Sequence, residues 1–173
     1  AIHGGKVKND RIDSEKIAGL LRSGMLPEAY AYPAEMRSTR DLLRRRLYLV
    51  RKHAELESHI RNTRHQYNAP AFEKRIHRAV NRQGISERFD DPMVRASIDV
   101  DTRLLDALHE QIAYIEQQVA AQAKGHDPGA WALLRTIPGI GPTLGLTLLY
   151  EIGDIDRFPK VGNFISYARL VKC

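Results

Sequence analysis

The chain has 173 residues and a net charge of +6, from 27 basic and 21 acidic side chains. Its composition, 43% hydrophobic and 28% charged, provides for a buried core and excludes a wholly disordered protein. No apolar run reaches the ~18 residues that a membrane helix needs, and no signal peptide is visible. The single cysteine, Cys173, excludes an internal disulfide and suits a reducing compartment. This length predicts one compact domain, or a small domain with an extended appendage.

The basic excess is concentrated in the middle of the chain. Residues 1–35 have no net charge, residues 36–82 carry +9 and residues 83–173 carry −3. A segment of this kind either binds a polyanion or forms a solvated helix face that pairs with an acidic neighbour, and the sequence leaves both open. Its clusters are Arg44, Arg45 and Arg46, then Arg51 and Lys52, and finally Lys74, Arg75, Arg78 and Arg82.

Helical signals cover most of the chain. Residues 13–22 predict a short helix with Asp13 as its N-cap. Two prolines in residues 26–33 predict an extended connector. Residues 36–68 contain no Gly or Pro, which predicts one helix of 33 residues, roughly 50 Å long. A shorter basic helix is predicted near residues 72–81.

A second long helix is predicted over Pro92–Ala123, because proline suits a first helical turn. Its apolar residues recur at alternating intervals of four and three, the pattern of a coiled-coil seam with one polar break at Asp101. That seam consists of Val94, Ile98, Leu105, Leu108, Ile112, Ile115 and Val119. The first long helix has a shorter stripe of Met36, Leu43, Leu47, Val50 and Ala54.

The two long helices have matching lengths and opposite charge, since the second carries a net −3. A 23-residue connector, residues 69–91, allows them to pair as an antiparallel hairpin. The same seams could instead pair between two chains, and the sequence leaves both pairings open. A charged Asp101 is costly in a dry core, so we expect it to set the register, pair with an arginine or mark an opening of the seam.

A glycine-rich turn, IPGIGP at residues 137–142, is the first motif that could carry chemistry. Apolar helices are predicted on both sides, over residues 131–136 and 143–150, which is the helix-hairpin-helix pattern. Glycine lets the backbone approach a phosphate closely, and the N–H groups that open the next helix point at that phosphate. A plain turn between two helices is the alternative.

Two carboxylates three residues apart, Asp10 and Asp13, are the second candidate. Clustered carboxylates bind Mg²⁺ in two-metal nucleases and stabilise the attacking and leaving oxygens. The alternative is structural, with Asp13 as an N-cap and Asp10 near the positive end of the helix. The seven histidines form no convincing metal set, because His53, His59 and His65 are six residues apart and scatter around a helix.

Several segments together resemble one family, the DEDD transposases of bacterial insertion sequences of the IS one-hundred-and-ten type. KNDRID at 8–13, LPEAY at 26–30 and MRSTRDL at 36–42 resemble the N-terminal half of the family. TIPGIGP at 136–142, with LLYEIGDI and RF at 148–158, resembles its C-terminal half. The resemblance covers nearly the whole chain, and the turn segment is its most specific part.

The resemblance implies a RuvC-like domain, a coiled coil and a C-terminal domain with a helix-hairpin-helix, in a site-specific DNA recombinase. Members use a metal-binding Asp-Glu-Asp-Asp tetrad and a nucleophilic serine, and some are guided by a structured RNA. Asp10 and Asp13 match the last two aspartates of the tetrad, with Mg²⁺ as the metal. Gly139 and Gly141 match the nucleic-acid-binding turn. Ser166 precedes the position of the family serine, so we assign it no role.

We therefore expect an all-α fold with two long antiparallel coiled-coil helices and a small helical domain that contains a helix-hairpin-helix. The expected divisions are 1–35, a remnant of the RuvC-like domain; 36–124, the coiled-coil hairpin; and 125–173, the start of the C-terminal domain. The chain begins at Ala1 and ends at Cys173 without a polar tail, so we expect a segment of a larger protein that is inactive alone. The expected nucleic-acid-binding residues are Gly139, Ile140, Gly141, Thr143, Arg44, Arg45, Arg46 and Lys52.

The expected partners are DNA, a structured guide RNA and further copies of the chain, with no membrane, in the bacterial cytoplasm. Two other functions stay open at this point. A non-enzymatic nucleic-acid-binding coiled-coil module predicts a complete gene of about this length. A structural helical scaffold predicts no binding of duplex DNA or RNA even at low salt.

Overall fold

The structure, a computed structural model, describes residues 9–27, 29–123 and 127–169. All regular structure in these residues is helical, as the sequence predicts. The chain divides into two compact units, residues 1–32 and residues 33–173. The α-helices are α1 (Asp10–Arg22), α2 (Ala34–Gln66), α3 (Pro92–Ala123), α4 (Pro128–Arg135), α5 (Pro142–Ile152) and α6 (Val161–Tyr167). No helix among the described residues is long and apolar enough to cross a membrane.

Helix α1, in the first unit, begins three residues earlier than the sequence predicts. Its N-cap is Asn9, whose side-chain oxygen accepts a hydrogen bond from the Arg11 N–H at 2.9 Å. The prediction of Asp13 as the N-cap is therefore wrong. The helix begins about one turn earlier, and there Asn9 accepts a hydrogen bond from one of the free N–H groups. Asp10 and Asp13 both lie in the first helical turn.

Helix α3 has the bounds that the sequence predicts, and the stripe predicted for it is largely buried. Asp91 caps it, accepting hydrogen bonds from the N–H groups of Met93 and Val94. The seam residues form a continuous stripe that faces α2, and Leu108 and Ile112 are only half-buried. The buried members are Val94, Ile98, Asp101, Leu105, Ile115 and Val119.

Helix α2 has the predicted 33 residues, shifted two positions toward the N-terminus. The stripe predicted for it is partly wrong, because Leu47 and Ala54 are exposed. The face that packs on α3 instead passes through polar side chains, of which His53 and Glu57 are buried. These two residues pair with each other, and Glu57 also pairs with Arg61, so both keep a hydrogen bond although they are buried.

Helices α2 and α3 run antiparallel within one chain. Arg46, in the first half of α2, binds Glu116 near the end of α3, with Nε to Oε1 at 2.7 Å. His59, near the end of α2, lies 2.6 Å from Asp101 in the first half of α3. Asp101 is the polar break in the α3 seam, and its partner is a histidine, whereas an arginine was one of the three alternatives that the sequence left open.

The connector between the two long helices folds back onto them, but not as the predicted helix over 72–81. It contains only short 3-10 turns, Ala79–Asn81 and Ser86–Arg88. Its apolar side chains complete a core with the ends of α2 and α3. That core is formed by Ile60, Ile76, Ile85, Phe89, Val94, Ile98 and Leu105.

Helix α5 packs against both α2 and α3, at the opposite end of the hairpin from the connector. Its buried residues are Gly145, Leu146, Leu149 and Tyr150. The buried Tyr150 hydroxyl hydrogen-bonds the side chain of Thr39 in α2, and burial raises the pKa of that tyrosine. Because α4 packs on α5, the turn between them is fixed to the start of the hairpin.

Candidate nucleic-acid interface

Arg44 and Arg46, two of the candidate arginines, are engaged in ion pairs within the chain. The Arg44 guanidinium donates two hydrogen bonds to Glu151 in α5, Nε to Oε1 at 2.6 Å and Nη2 to Oε2 at 2.8 Å. The hydrogen bond from Glu151 raises the pKa of Arg44. Arg46 binds Glu116 in α3. These two arginines thus join α2 to α5 and to α3.

The side of α2 that faces solvent carries Arg45, Arg51 and Lys52. The Lys52 side chain is partly covered, at 45% exposed, and it pairs with Glu55 at 2.7 Å. Arg45 lies over the ring of Tyr48, with its guanidinium carbon 5.2 Å from the ring centroid. Within the described part of the chain, neither Arg45 nor Arg51 has a carboxylate at ion-pair distance. Their charge is therefore available to a ligand.

Arg82, the last basic residue of the segment 36–82, pairs within the chain. Its side chain is 2% exposed. It donates to Asp106 in α3 and to the carbonyl oxygens of Ile76 and His77, at 3.0 and 2.9 Å. Lys74, Arg75 and Arg78, in the same connector, are exposed.

The glycine turn joins α4 to α5, and its backbone requires glycine at one position. Gly139 has a φ of 88°, a left-handed conformation that other residues rarely adopt. Gly141 is the N-cap of α5 with an ordinary φ of −77°. A Cβ atom added at either glycine would meet nothing within 4 Å, so the backbone of the turn is open.

The N–H groups of Thr143 and Leu144 precede the first hydrogen bond within α5, which Gly145 donates to Gly141 at 2.9 Å. They and the open glycines form one face at the positive end of the helix. Trp131 supports this turn by donating from Nε1 to the Pro142 carbonyl at 3.4 Å. The Arg135 guanidinium lies 4.9 Å from the Trp131 ring centroid and adds a positive charge beside the turn.

Asp10 and Asp13, the two residues that the resemblance matches to the tetrad, lie in the first unit. Asp10 is exposed and Asp13 is half-exposed. Among the described residues, neither belongs to a group of three side chains that could hold a metal ion. Two carboxylates alone are a poor site for Mg²⁺, which takes six oxygen ligands.

The described residues contain one metal-ligand group, and sequence reasoning missed it. It consists of His53 and Glu57 in α2 and His77 in the connector, with one ligand atom from each within 4.8 Å of the others. Burial lowers the pKa of His53, which favours the neutral ring. The spacing of four between His53 and Glu57 was a usable signal, because it places both on one helix face. His77 could not be found, since the fold of the connector brings it there.

Comparison with known proteins bears on the segment that contains the turn. Residues 131–173 match the model of the transposase IS116/IS110/IS902 family. This match confirms the resemblance to IS110-type transposases, and it covers the turn, α5 and α6. The chain is also similar to the "Insertion element IS110 uncharacterized 43.6 kDa protein" of Streptomyces coelicolor, with 35% identity over 66 residues. That alignment covers 38% of this chain and only 16% of the Streptomyces protein. No solved structure matches the chain at a significant level.

Proposed function

We propose that the chain is a segment of an IS110-type transposase that binds nucleic acid and contributes part of a catalytic site completed in the whole protein. The observation that carries this proposal is that the family match and the open turn lie in the same segment of the chain. The segment that matches the transposase family contains the open glycine turn at the start of α5. In the whole protein the function would be cleavage and transfer of DNA strands.

The turn serves as a helix-hairpin-helix in this proposal, with α4 and α5 as its helices. Gly139 and Gly141 allow a phosphate to approach the backbone. Ile140 packs on α5 and so anchors the turn. The Thr143 N–H points toward the bound anion. The half-buried Ile140 supports this division of roles, since its Cγ2 atom lies 3.6 Å from where a Gly145 Cβ would be. Contacts of this type position nucleic acid without reading its sequence.

The sharpest test is Gly141→Ala, since the structure has room for the added methyl group. The φ of Gly141 suits alanine and the methyl group would meet nothing within 4 Å, so the fold is expected to be retained. The methyl group would occupy the space into which a phosphate approaches. We expect the affinity for a short DNA duplex, measured by fluorescence anisotropy at low salt, to fall at least about tenfold, as for one or more lost phosphate contacts.

Gly162→Ala is the matched control, because Gly162 in α6 also has open space around its Cβ position. It should bind DNA as the parent chain does. Equal affinities for Gly141→Ala and the parent chain would remove the turn from the proposed interface, and absence of DNA binding by the parent at low salt would leave only a scaffold function.

Asp10 and Asp13 are proposed as two ligands of a Mg²⁺ site, with the remaining carboxylates elsewhere in the whole protein. Clustered carboxylates around Mg²⁺ supply the charge that stabilises the attacking and leaving oxygens in phosphoryl transfer. Cleavage of DNA by the 173-residue chain alone, in Mg²⁺, would contradict this assignment. We further propose that the hairpin of α2 and α3 is a coiled coil through which copies of the protein assemble, that a structured guide RNA shares the basic surface, and that the protein acts in the bacterial cytoplasm.

A further inference from the structure

A cleft of about 500 Å³ lies beside the hairpin, and two histidines and one glutamate in its wall converge on one point. Glu57 Oε1 lies 3.1 Å from Nδ1 of His53 and 3.0 Å from Nδ1 of His77. One carboxylate oxygen therefore faces two imidazole nitrogens from different parts of the chain. The two rings pack edge to face, with their centroids 5.1 Å apart.

We propose that His53, Glu57 and His77 form a binding site for a divalent transition-metal ion of the Zn²⁺ class. Two imidazoles and one carboxylate are a ligand set that Zn²⁺ and its neighbours prefer, whereas Mg²⁺ and Ca²⁺ prefer oxygen ligands only. The site lies in the second unit and takes a different class of metal from the Mg²⁺ site proposed for Asp10 and Asp13. It does not depend on nucleic-acid binding.

Two of the three separations between ligand atoms are close to what such an ion requires, and all three are within 4.8 Å. Ligands about 2.0–2.1 Å from a tetrahedral ion are roughly 3.3 Å from one another. The separations of 3.0 and 3.1 Å would therefore need to increase by only a few tenths of an ångström. The ion would replace the hydrogen bonds that now join the rings to Glu57, and water in the open cleft would supply a fourth ligand.

Neighbouring side chains already hold the three ligands in place. Arg61 binds the other carboxylate oxygen, with Nη2 to Oε2 at 2.8 Å, and so leaves Oε1 directed at the rings. The buried Arg82 holds the carbonyl of His77 and fixes that residue against the hairpin. Outer contacts of this kind orient metal ligands and are often as important as the ligands themselves.

His53 is held in the cluster through one of its two ring nitrogens. Its side chain is only 5% exposed, and its Nε2 atom has no hydrogen-bond partner within the described part of the chain. Its Nδ1 atom, which lies 3.1 Å from Glu57 Oε1, is the atom through which it would bind the ion. The consequence would be a metal link between α2 and the connector.

The test uses the 173-residue chain without any affinity tag. Isothermal titration with ZnCl₂ should show one ion bound per chain, and Co²⁺ should give the visible absorption of a four- or five-coordinate site. Zn²⁺ should also raise the melting temperature, because the ion binds the folded state. His77→Gln should weaken Zn²⁺ binding at least about tenfold and abolish the Co²⁺ band.

His77→Gln is a suitable variant because the His77 side chain is 67% exposed, so the fold should survive, as circular dichroism would verify. His65→Gln, at an exposed position on α2 and outside the cluster, is the control and should bind as the parent does. Equal Zn²⁺ affinity of His77→Gln and the parent, or no Zn²⁺ binding by the parent, would overturn the proposal. A loss of binding in His65→Gln equal to that in His77→Gln would overturn it as well.

Discussion

Arg82 shows that a basic residue in a basic segment need not be part of a basic surface. It belongs to the segment with the highest positive charge, yet its guanidinium is buried and fully engaged with Asp106 and two backbone carbonyls. Those carbonyls belong to Ile76 and His77, in a part of the connector that has no regular helix of its own. Arg82 thus replaces the hydrogen bonds that a helix would have supplied.

Arg82→Met should therefore destabilise the protein strongly. Methionine retains an apolar stem of similar length but leaves both carbonyl oxygens without their donor and Asp106 without its partner. We expect the free energy of unfolding to fall by about 3 kcal/mol, at the lower end for a broken buried ion pair because Asp106 is 53% exposed and can be hydrated. Urea denaturation followed by circular dichroism measures this change. Arg78→Met, at an exposed position in the same connector, should stay within about 0.5 kcal/mol of the parent, and equal losses in the two variants would contradict the role of Arg82.

At the scale of helices, α3 was predictable from sequence because local and tertiary preferences agree in it. Pro92 and Asp91 fix its start, and a continuous apolar period fixes the face that is buried. Helix α2 was predictable in length but not in its buried face, because that face includes His53 and Glu57. A hydrophobic pattern cannot identify polar residues that become buried only because a partner residue reaches them from elsewhere.

The seam of α3 can be tested with two adjacent leucines. Leu105 is fully buried, whereas Leu104 is 48% exposed. Leu105→Ala should lower the free energy of unfolding by about 2–5 kcal/mol, through lost burial and the cavity left behind. Leu104→Ala, the same chemical change one residue away, should cost less than about 1 kcal/mol, and thermal or urea unfolding would distinguish them. Similar losses in the two variants would mean that the register of the hairpin differs from the one described.

The connector between α2 and α3 was the least predictable element. Its residues 72–81 have helix-forming side chains, but a helix there could not bury Ile76, Ile85 and Phe89 together against the hairpin. Gly84, at a φ of 69°, turns the chain so that all three reach one core. The same fold brings His77 to α2, which explains why the sequence could not reveal the third member of the group of His53, Glu57 and His77.

For the whole molecule, the positive charge of residues 36–82 divides into two parts with different roles. Arg44, Arg46 and Arg82 pair with carboxylates on α5 and α3, which carry part of the negative charge of residues 83–173. Arg45 and Arg51 lie on the solvent-facing side of α2. The sequence left open whether the basic segment pairs internally or faces a polyanion; internal pairing holds for the first three residues, and polyanion binding by Arg45 and Arg51 stays a prediction.

This division predicts different salt effects for neighbouring arginines. If Arg45 contacts a phosphate, Arg45→Gln should weaken DNA binding and reduce the slope of log affinity against log salt by about 0.9. Arg46→Gln removes the same charge but at a side chain already bound to Glu116, so it should leave the slope unchanged. Fluorescence anisotropy between low and moderate salt measures both slopes. A slope that changes in Arg46→Gln but not in Arg45→Gln would assign the outer face of α2 no part in binding.

The antiparallel course of α2 and α3 brings the start of α2 and the end of α3 to the same end of the hairpin, where α5 packs against both. At that end of the hairpin, Thr39 and Arg44 of α2 contact Tyr150 and Glu151 of α5. The two ends of the hairpin are thus adjacent in space, although many residues separate them along the chain. Because its seam repeats every seven residues, equal blocks of seven could be lost from facing parts of both helices while the α5 attachment kept its geometry. The reach of the hairpin and the position of the glycine turn are therefore independently adjustable properties of this protein.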